Sequence, residues 1–275
     1  MPVARPIAET NAIEATAFVL VFSREFEVKE VEALLSLEHS LKTILPSFTK
    51  TSSLTLNVVD NAPAEQTQQL SGVLLQSFQV NGKPDWALRA SDNMIVVNCL
   101  KYDNWENVWP KACQLMLRAA QCVDSDTNSI AHAAFQVIDK FVYDEKPTPY
   151  FIKDVFNQES EFLTPQIKNA GELWHIFQGW FEGGATRDTK VDEVLHILKL
   201  ASSMNNEKLV AQIDHTLQKN FKNKIVNVKE LLGLETPEYG SIFANQLFKD
   251  LHDKNVLILR NVLAMEQQIA IGLKK

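Results

Sequence analysis

The alternation of apolar and polar positions is most informative between residues 93 and 123. Residues 94–100 form a short run that is rich in β-branched side chains and apolar on both faces, which predicts a central strand. From Val108 to Val123 apolar side chains recur every three or four residues, and the polar ones form a narrow stripe. This pattern predicts a largely buried helix, covered either by the sheet and a second helix or by a partner subunit.

Similar patterns divide the rest of the first half into strands and one helix. Asn81 and Gly82 are the strongest short signal for a hairpin, and they join two strand-like segments. The predicted elements are strands at 15–23 and 52–59, a helix at 27–45, and a hairpin that pairs 73–80 with 86–89.

The second half of the chain is more ambiguous. Residues 130–143 fit either a strand or a helix, and residues 191–217 fit either two helices or two strands joined by an Asn-Asn turn. Thr236 is followed by a proline and an acid, which predicts the start of a final helix that runs to about residue 270.

Together these elements predict an α+β fold of mostly antiparallel sheets with long helices packed on them. Each half ends its strands with a long helix, which suggests two related halves. A polar segment with two prolines at 146–149 is the expected boundary. The predicted domains are therefore an N-terminal α+β half at 1–143 and a C-terminal α+β half at 144–275.

Four segments of the chain carry a resemblance to a known family. They are a strand followed by a Tyr-x-x-Trp helix entry at Tyr102 and Trp105, the segment 130–143 with Ile138-Asp139-Lys140, the segment 209–217 with Asp214, and Leu251-His252-Asp253 with Asn255. In this order they resemble a sporadically distributed prokaryotic family of uncharacterised function, over about residues 5–272. The triplet at 138–140 departs from the family's pattern. The resemblance implies that 191–217 are strands, which we adopt, and it supplies no activity and no catalytic residues.

Composition narrows the expected location and partners. A net charge of −7 lacks the basic footprint of a general nucleic-acid-binding protein. No apolar run approaches the ~20 residues that span a bilayer, and the first residues lack the apolar core of a secretory signal. The three cysteines, an odd number at core positions, indicate reduced thiols. We therefore expect a cytoplasmic protein without nucleic-acid or membrane partners.

No strong catalytic motif is present, so we predict no catalytic, cofactor-binding or metal-binding residues. The nearest approach to a metal site is the pair His196 and His215. A hairpin register that pairs Ser203 with Lys208 places these histidines opposite each other, while Asp214 points to the other face and no third ligand is evident. A half-exposed cross-strand pair is the alternative interpretation.

Four side chains are candidates for an interaction site. Trp105 and Trp109 are four residues apart at the helix entry, where they suit a recognition patch or a homodimer contact, and equally the edge of the core. His252 and Asn255 are three residues apart on the final helix and share a face. Asp253 beside His252 makes a base with its orienting acid conceivable, and a surface contact is the alternative.

We therefore expect a non-enzymatic cytosolic protein that acts through protein–protein contacts with an unknown partner or as a homodimer. This rests on the absence of catalytic motifs and on the wide apolar arc at 108–123. A defence- or toxin-related role is expected by analogy only. One alternative is an enzyme, which a deep pocket joining His196, His215 or His252 to other polar residues would favour. Another is a chaperone-like binder of unfolded chains, which needs an exposed apolar groove.

Overall fold

The computed structural model describes residues 4–8, 10–57, 65–144, 150–182, 193–221, 225–233 and 241–273. The strands are β1 (Ala4–Pro6), β2 (Ile13–Phe22), β3 (Ser47–Asn57), β4 (Glu65–Phe78), β5 (Pro84–Ser91), β6 (Met94–Cys99), β7 (Ile130–Tyr143), β8 (Trp174–Phe181), β9 (Val194–Asn205) and β10 (Lys208–Asn220). The helices are α1 (Val28–Leu34), α2 (Leu37–Ser40), α3 (Trp105–Val123), α4 (Pro165–Lys168), α5 (Val228–Leu232), α6 (Ile242–Val262) and α7 (Met265–Ala270), besides a 3₁₀ turn at Ile152–Asp154.

All of these strands belong to one antiparallel sheet. Their order is β3-β4-β5-β6-β2-β7-β10-β9-β8, and β1 pairs with the end of β7 on the same side as β2. The predicted mostly antiparallel α+β fold is therefore confirmed. The prediction of long helices holds only for α3 and α6, which have 19 and 21 residues, whereas the other described helices have seven or fewer.

The long helices cover the face of the sheet that carries the largest apolar side chains. Along β7 the inward positions include Phe135, Val137 and Phe141, none more than 1% exposed. Helix α3 packs on β5, β6, α1 and α5, while α6 packs on β7, β10 and α5. The apolar arc of α3 is therefore covered within the chain, by the sheet and by other helices.

For residues 194–217, the hairpin of β9 and β10 confirms the strands that were implied for 191–217, and it corrects their register. Asn206 and Glu207 form its two-residue turn, both with positive φ (48° and 66°), as a type I′ turn requires. Asn205 then pairs with Lys208, so Leu217 lies opposite His196. The predicted register was wrong by two residues because it assumed a longer loop. A shift of two leaves every side chain on its expected face.

The helix ends differ from the predicted ones in several places. Asn104 caps α3, since its Oδ1 accepts a hydrogen bond from the Asn107 backbone N–H at 2.9 Å. Ser241 caps α6 in the same way, through the Ala244 N–H at 3.0 Å. The predicted start at Thr236 lies outside the described residues. The helix expected at 27–45 is broken into α1 and α2, and the final helix is broken between α6 and α7.

The predicted division into two domains stays a prediction. Strand β7, which ends at the proposed boundary, pairs with β2 on one side and with β10 on the other, so one sheet joins both halves. Residues 146–149 lie outside the described residues. None of the described helices has both the length and the apolarity needed to cross a bilayer.

Gly72 marks a close approach between β4 and β5. A Cβ there would lie 2.1 Å from the carbonyl oxygen of Ala90 and 2.6 Å from the Cβ of Ser91. We predict that Gly72→Ala lowers the free energy of unfolding by about 3 kcal/mol, because the backbone must move to admit the methyl group. Gly171→Ala is the control, since a Cβ there meets nothing within 4 Å. Urea unfolding compares the two, and equal stabilities would contradict this packing.

Candidate functional site

A cavity of about 320 Å³ lies between α6, β7, the entry to α3 and residues 10–13. The side chains that decide its character are Tyr102, Trp105, Phe135, Asp139, His252 and Asn255. A register shift in β2 between Ile13 and Ala15 lies directly beside it, opposite Asp139. Such bulges bend a strand and re-aim its side chains, and they are frequent next to binding sites.

Asp139 is the most unusual residue of the cavity wall. It is 1% exposed, and neither of its carboxyl oxygens has a hydrogen-bond partner in the part of the chain that the structure describes. Burial raises the pKa of this carboxyl from the ordinary 3.8 to about 7. The group therefore changes its charge near neutral pH, inside an otherwise apolar stretch of β7.

Aromatic rings form one wall of the cavity. The Trp105 ring lies 4.2 Å from the His252 imidazole and meets the Phe135 ring edge-on at 5.6 Å. Trp109 stacks behind Trp105 at 5.9 Å, is 6% exposed, and donates its indole N–H to Asn245 at 2.6 Å. Of the two predicted tryptophans, Trp105 therefore reaches the cavity and Trp109 belongs to the core.

His252 and Asn255 share one face of α6, as their spacing predicts, and both line the cavity. Burial lowers the pKa of the His252 imidazole despite its contact with Asp253 at 3.4 Å, so the ring is neutral at neutral pH. Asn255 is 3% exposed. With Trp105, three of the four predicted interaction residues thus lie around one cavity, together with Asp139.

Asn255 also connects the cavity to a chain of hydrogen bonds across β10, β9 and β8. Its side-chain Oδ1 lies 2.9 Å from His215 Nδ1, and His215 Nε2 lies 3.1 Å from His196 Nδ1. His196 Nε2 then lies 3.0 Å from Glu182 Oε1. Lys254 closes the loop by donating to both oxygens of Glu182, at 2.7 and 2.6 Å. This chain of hydrogen bonds therefore begins at Asn255 and ends at Lys254, two adjacent residues of α6.

The charged groups of this hydrogen-bond chain lie at its Glu182 end. Burial opposes ionisation of Glu182, yet Lys254 and His196 together hold the pKa of that carboxyl below its ordinary value. Burial lowers the pKa of His196, against the pull of Glu182, and lowers that of His215 to about 4. Both imidazoles are therefore neutral at neutral pH.

Proton counting limits these hydrogen bonds. Two neutral imidazoles carry two N–H protons, whereas the contacts of His215 and His196 with Asn255 Oδ1, with each other and with Glu182 each need one. With both rings neutral, the pair therefore supplies donors to two of these three contacts.

The described residues bring no third metal ligand to His196 and His215. They contain no group of three or more His, Cys, Asp or Glu side chains that could hold a metal ion. Asp214 points to the opposite face of the sheet, where Gln136 donates to it at 2.7 Å and Lys199 at 3.5 Å. Its predicted orientation is confirmed.

Comparisons with protein-family models, with curated proteins and with solved structures find no match for this chain. The family resemblance of the four segments therefore gains no support from them and stays an expectation.

Asp139, Phe135 and Glu182 belong to the site but were not predicted from the sequence. A signal for Asp139 is present: once 130–143 is assigned as a strand, it is the only acid in a row of inward positions with Phe135, Val137 and Phe141. Glu182 carries no comparable signal, because its partners come from distant strands and from α6.

We predict that Asp139→Asn stabilises the protein most at high pH. The raised pKa means that the folded state keeps a proton that the unfolded chain loses, so the wild type loses stability as pH rises from about 4 to about 7. At about pH 8 the variant should gain up to ~4 kcal/mol, and the gain should shrink towards about pH 4. Urea unfolding at several pH values measures this. A variant that is no more stable at high pH would contradict it.

Acid should destabilise the protein through His215. Its lowered pKa means that the unfolded chain takes up a proton first, so stability is lost as pH falls from 6.5 to about 4, by roughly 3 kcal/mol. His215→Gln should flatten this limb of the stability curve, whereas His175→Gln, at an exposed position of β8, should leave its slope unchanged. The same acid slope in both variants would exclude His215 as its source.

Proposed function

We propose that this protein is a non-enzymatic binding protein whose site is the cavity between α3, α6 and β7. The observation that supports this most is the Asp139 carboxyl, which is 1% exposed, has no hydrogen-bond partner among the described residues and lies on the wall of a space of about 320 Å³. A buried polar group without a partner is unfavourable unless something else satisfies it. A bound molecule would supply the missing partner.

The size and lining of the cavity support a small ligand. Small-molecule sites have volumes of roughly 300–1,000 Å³ and combine apolar walls with a few placed polar groups. Here the walls are Trp105, Phe135 and apolar side chains of α6, and the polar groups are Asp139, His252 and Asn255. The hydrogen-bond chain behind Asn255 holds that amide in one orientation, as a specific site requires.

An enzyme is the second candidate, and one observation favours it. The cavity joins His252 and, through Asn255, His215 to a carboxyl with a pKa of about 7, a value suited to general acid–base chemistry near neutral pH. The candidates differ in what becomes of a bound molecule. Incubation followed by mass spectrometry would reveal turnover, which a binding protein does not perform.

Contact with a protein partner or a second copy stays a prediction. Its basis in the sequence was the apolar arc at 108–123, which the chain itself covers with β5, β6, α1 and α5. The chaperone-like function, the defence- or toxin-related role, the prokaryotic or phage origin, the cytoplasmic location and the absence of nucleic-acid or membrane partners also stay predictions.

We also propose that the two halves are related. Strand β2 is followed by β3 to β6, and β7, at the end of the predicted N-terminal half, is followed by β8 to β10. Each series is added to the sheet from the outside inward. Each series is followed by one long helix, α3 or α6. The cavity then lies where the two equivalent helices meet the central strands.

Filling the cavity should abolish binding. Val256 is half-buried on α6 and lines the cavity, so we predict that Val256→Trp removes the binding of small molecules found by a ligand-observed NMR screen of a fragment library. Leu257→Trp is the control, because this neighbour is 61% exposed and does not line the cavity. A screen without hits, or hits that survive Val256→Trp, would contradict a binding function of this site.

A further inference from the structure

We propose that the ligand is a small organic molecule with a protonated amine, which binds with its ammonium group against the carboxylate of Asp139. This assignment rests on the proposed binding function and adds the chemical class of the ligand. It is carried by the charge of the lining, by the unpartnered carboxyl and by the rings around it.

The charged residues of the lining are all acids. Asp103 and Glu106 at the entry to α3 accompany Asp139, and neither lysine nor arginine occurs among the lining residues that the structure describes. His252, the remaining basic side chain of the lining, is neutral because burial lowers its pKa. An anionic ligand would meet two or three like charges here, whereas a cation would meet opposite ones.

The geometry around Asp139 suits an ammonium group. Both carboxyl oxygens lack donors in the described part of the chain, and an ammonium ion brings up to three N–H donors and the opposite charge. The rings of Trp105 and Phe135 line the same space and give it an apolar wall for the body of the ligand.

The volume of the cavity suits a small molecule. About 320 Å³ lies at the lower end of the roughly 300–1,000 Å³ found for small-molecule sites. An amine on a short apolar body, such as a single aromatic ring, fits this limit.

Binding of the cation should be linked to pH through Asp139. The carboxyl must be ionised to face the ammonium group, so below about pH 7 binding displaces a proton from Asp139 to the solvent while the ligand keeps its own. The other titratable groups at the cavity are Asp103 and Glu106 from the entry to α3, Tyr102 before it, and His252 from α6. Burial raises the pKa of Tyr102, which keeps that hydroxyl neutral.

The test uses phenethylamine and its neutral isostere 2-phenylethanol, measured by isothermal titration calorimetry on the full chain. We expect phenethylamine to bind more tightly than the alcohol, to bind about tenfold more weakly at about pH 6 than at about pH 8, and to lose at least about tenfold in affinity in Asp139→Asn. Asp214→Asn is the control, because it removes a carboxylate from the opposite face of the same sheet.

Three results would overturn the amine assignment. They are an absence of phenethylamine binding, equal affinities for the amine and the alcohol, and unchanged amine affinity in Asp139→Asn. If neutral fragments bind to the wild type but not to the Val256→Trp variant, the binding function stands and only the amine class fails. If no fragment of any charge binds, both proposals fail together.

Discussion

The carboxyl of Asp139 is buried on the inward face of the central strand β7, where no donor among the described residues reaches it. This constraint follows from the position of β7, which is paired on both sides and covered by α6. An apolar side chain at this position would continue the row formed by Phe135, Val137 and Phe141. Asp139 at this position instead destabilises the folded state. A molecule bound in the adjacent cavity would relieve that destabilisation.

Folded proteins tolerate such locally unfavourable groups chiefly where function needs them. Here two adjacent contacts fix α6 to the strands. Lys254 binds Glu182, and the next residue, Asn255, binds His215. The stacking of Trp180 on His196, with ring centroids 4.8 Å apart, supports the same network from β8. Stability supplied by these contacts can hold α6 over an unpaired carboxyl.

Much of this architecture follows from the sequence, and its failures have physical causes. Periodicity located most of the strands and both long helices, because burial on one face imposes a repeat of two or of about 3.6. It could not distinguish strand from helix at 130–143, since Ala134, Ile138 and Val142 interrupt the alternation on the face that also carries Gln136 and Lys140. That ambiguity concealed Asp139. The hairpin register failed because a two-residue turn at Asn206 and Glu207 replaced the assumed loop.

The candidate site, too, was predicted from the sequence only in part. Trp105, His252 and Asn255 were chosen for their residue types and helical spacing, and the fold brings them around one cavity. Their partners come from strands far apart in the chain, which no local pattern can indicate.

The most direct test of the central claim is an NMR titration of the ¹³Cγ resonance of Asp139, assigned by its loss in Asp139→Asn. We predict a midpoint of about pH 7, and a midpoint near the ordinary 3.8 would contradict the buried, unpartnered state of this carboxyl.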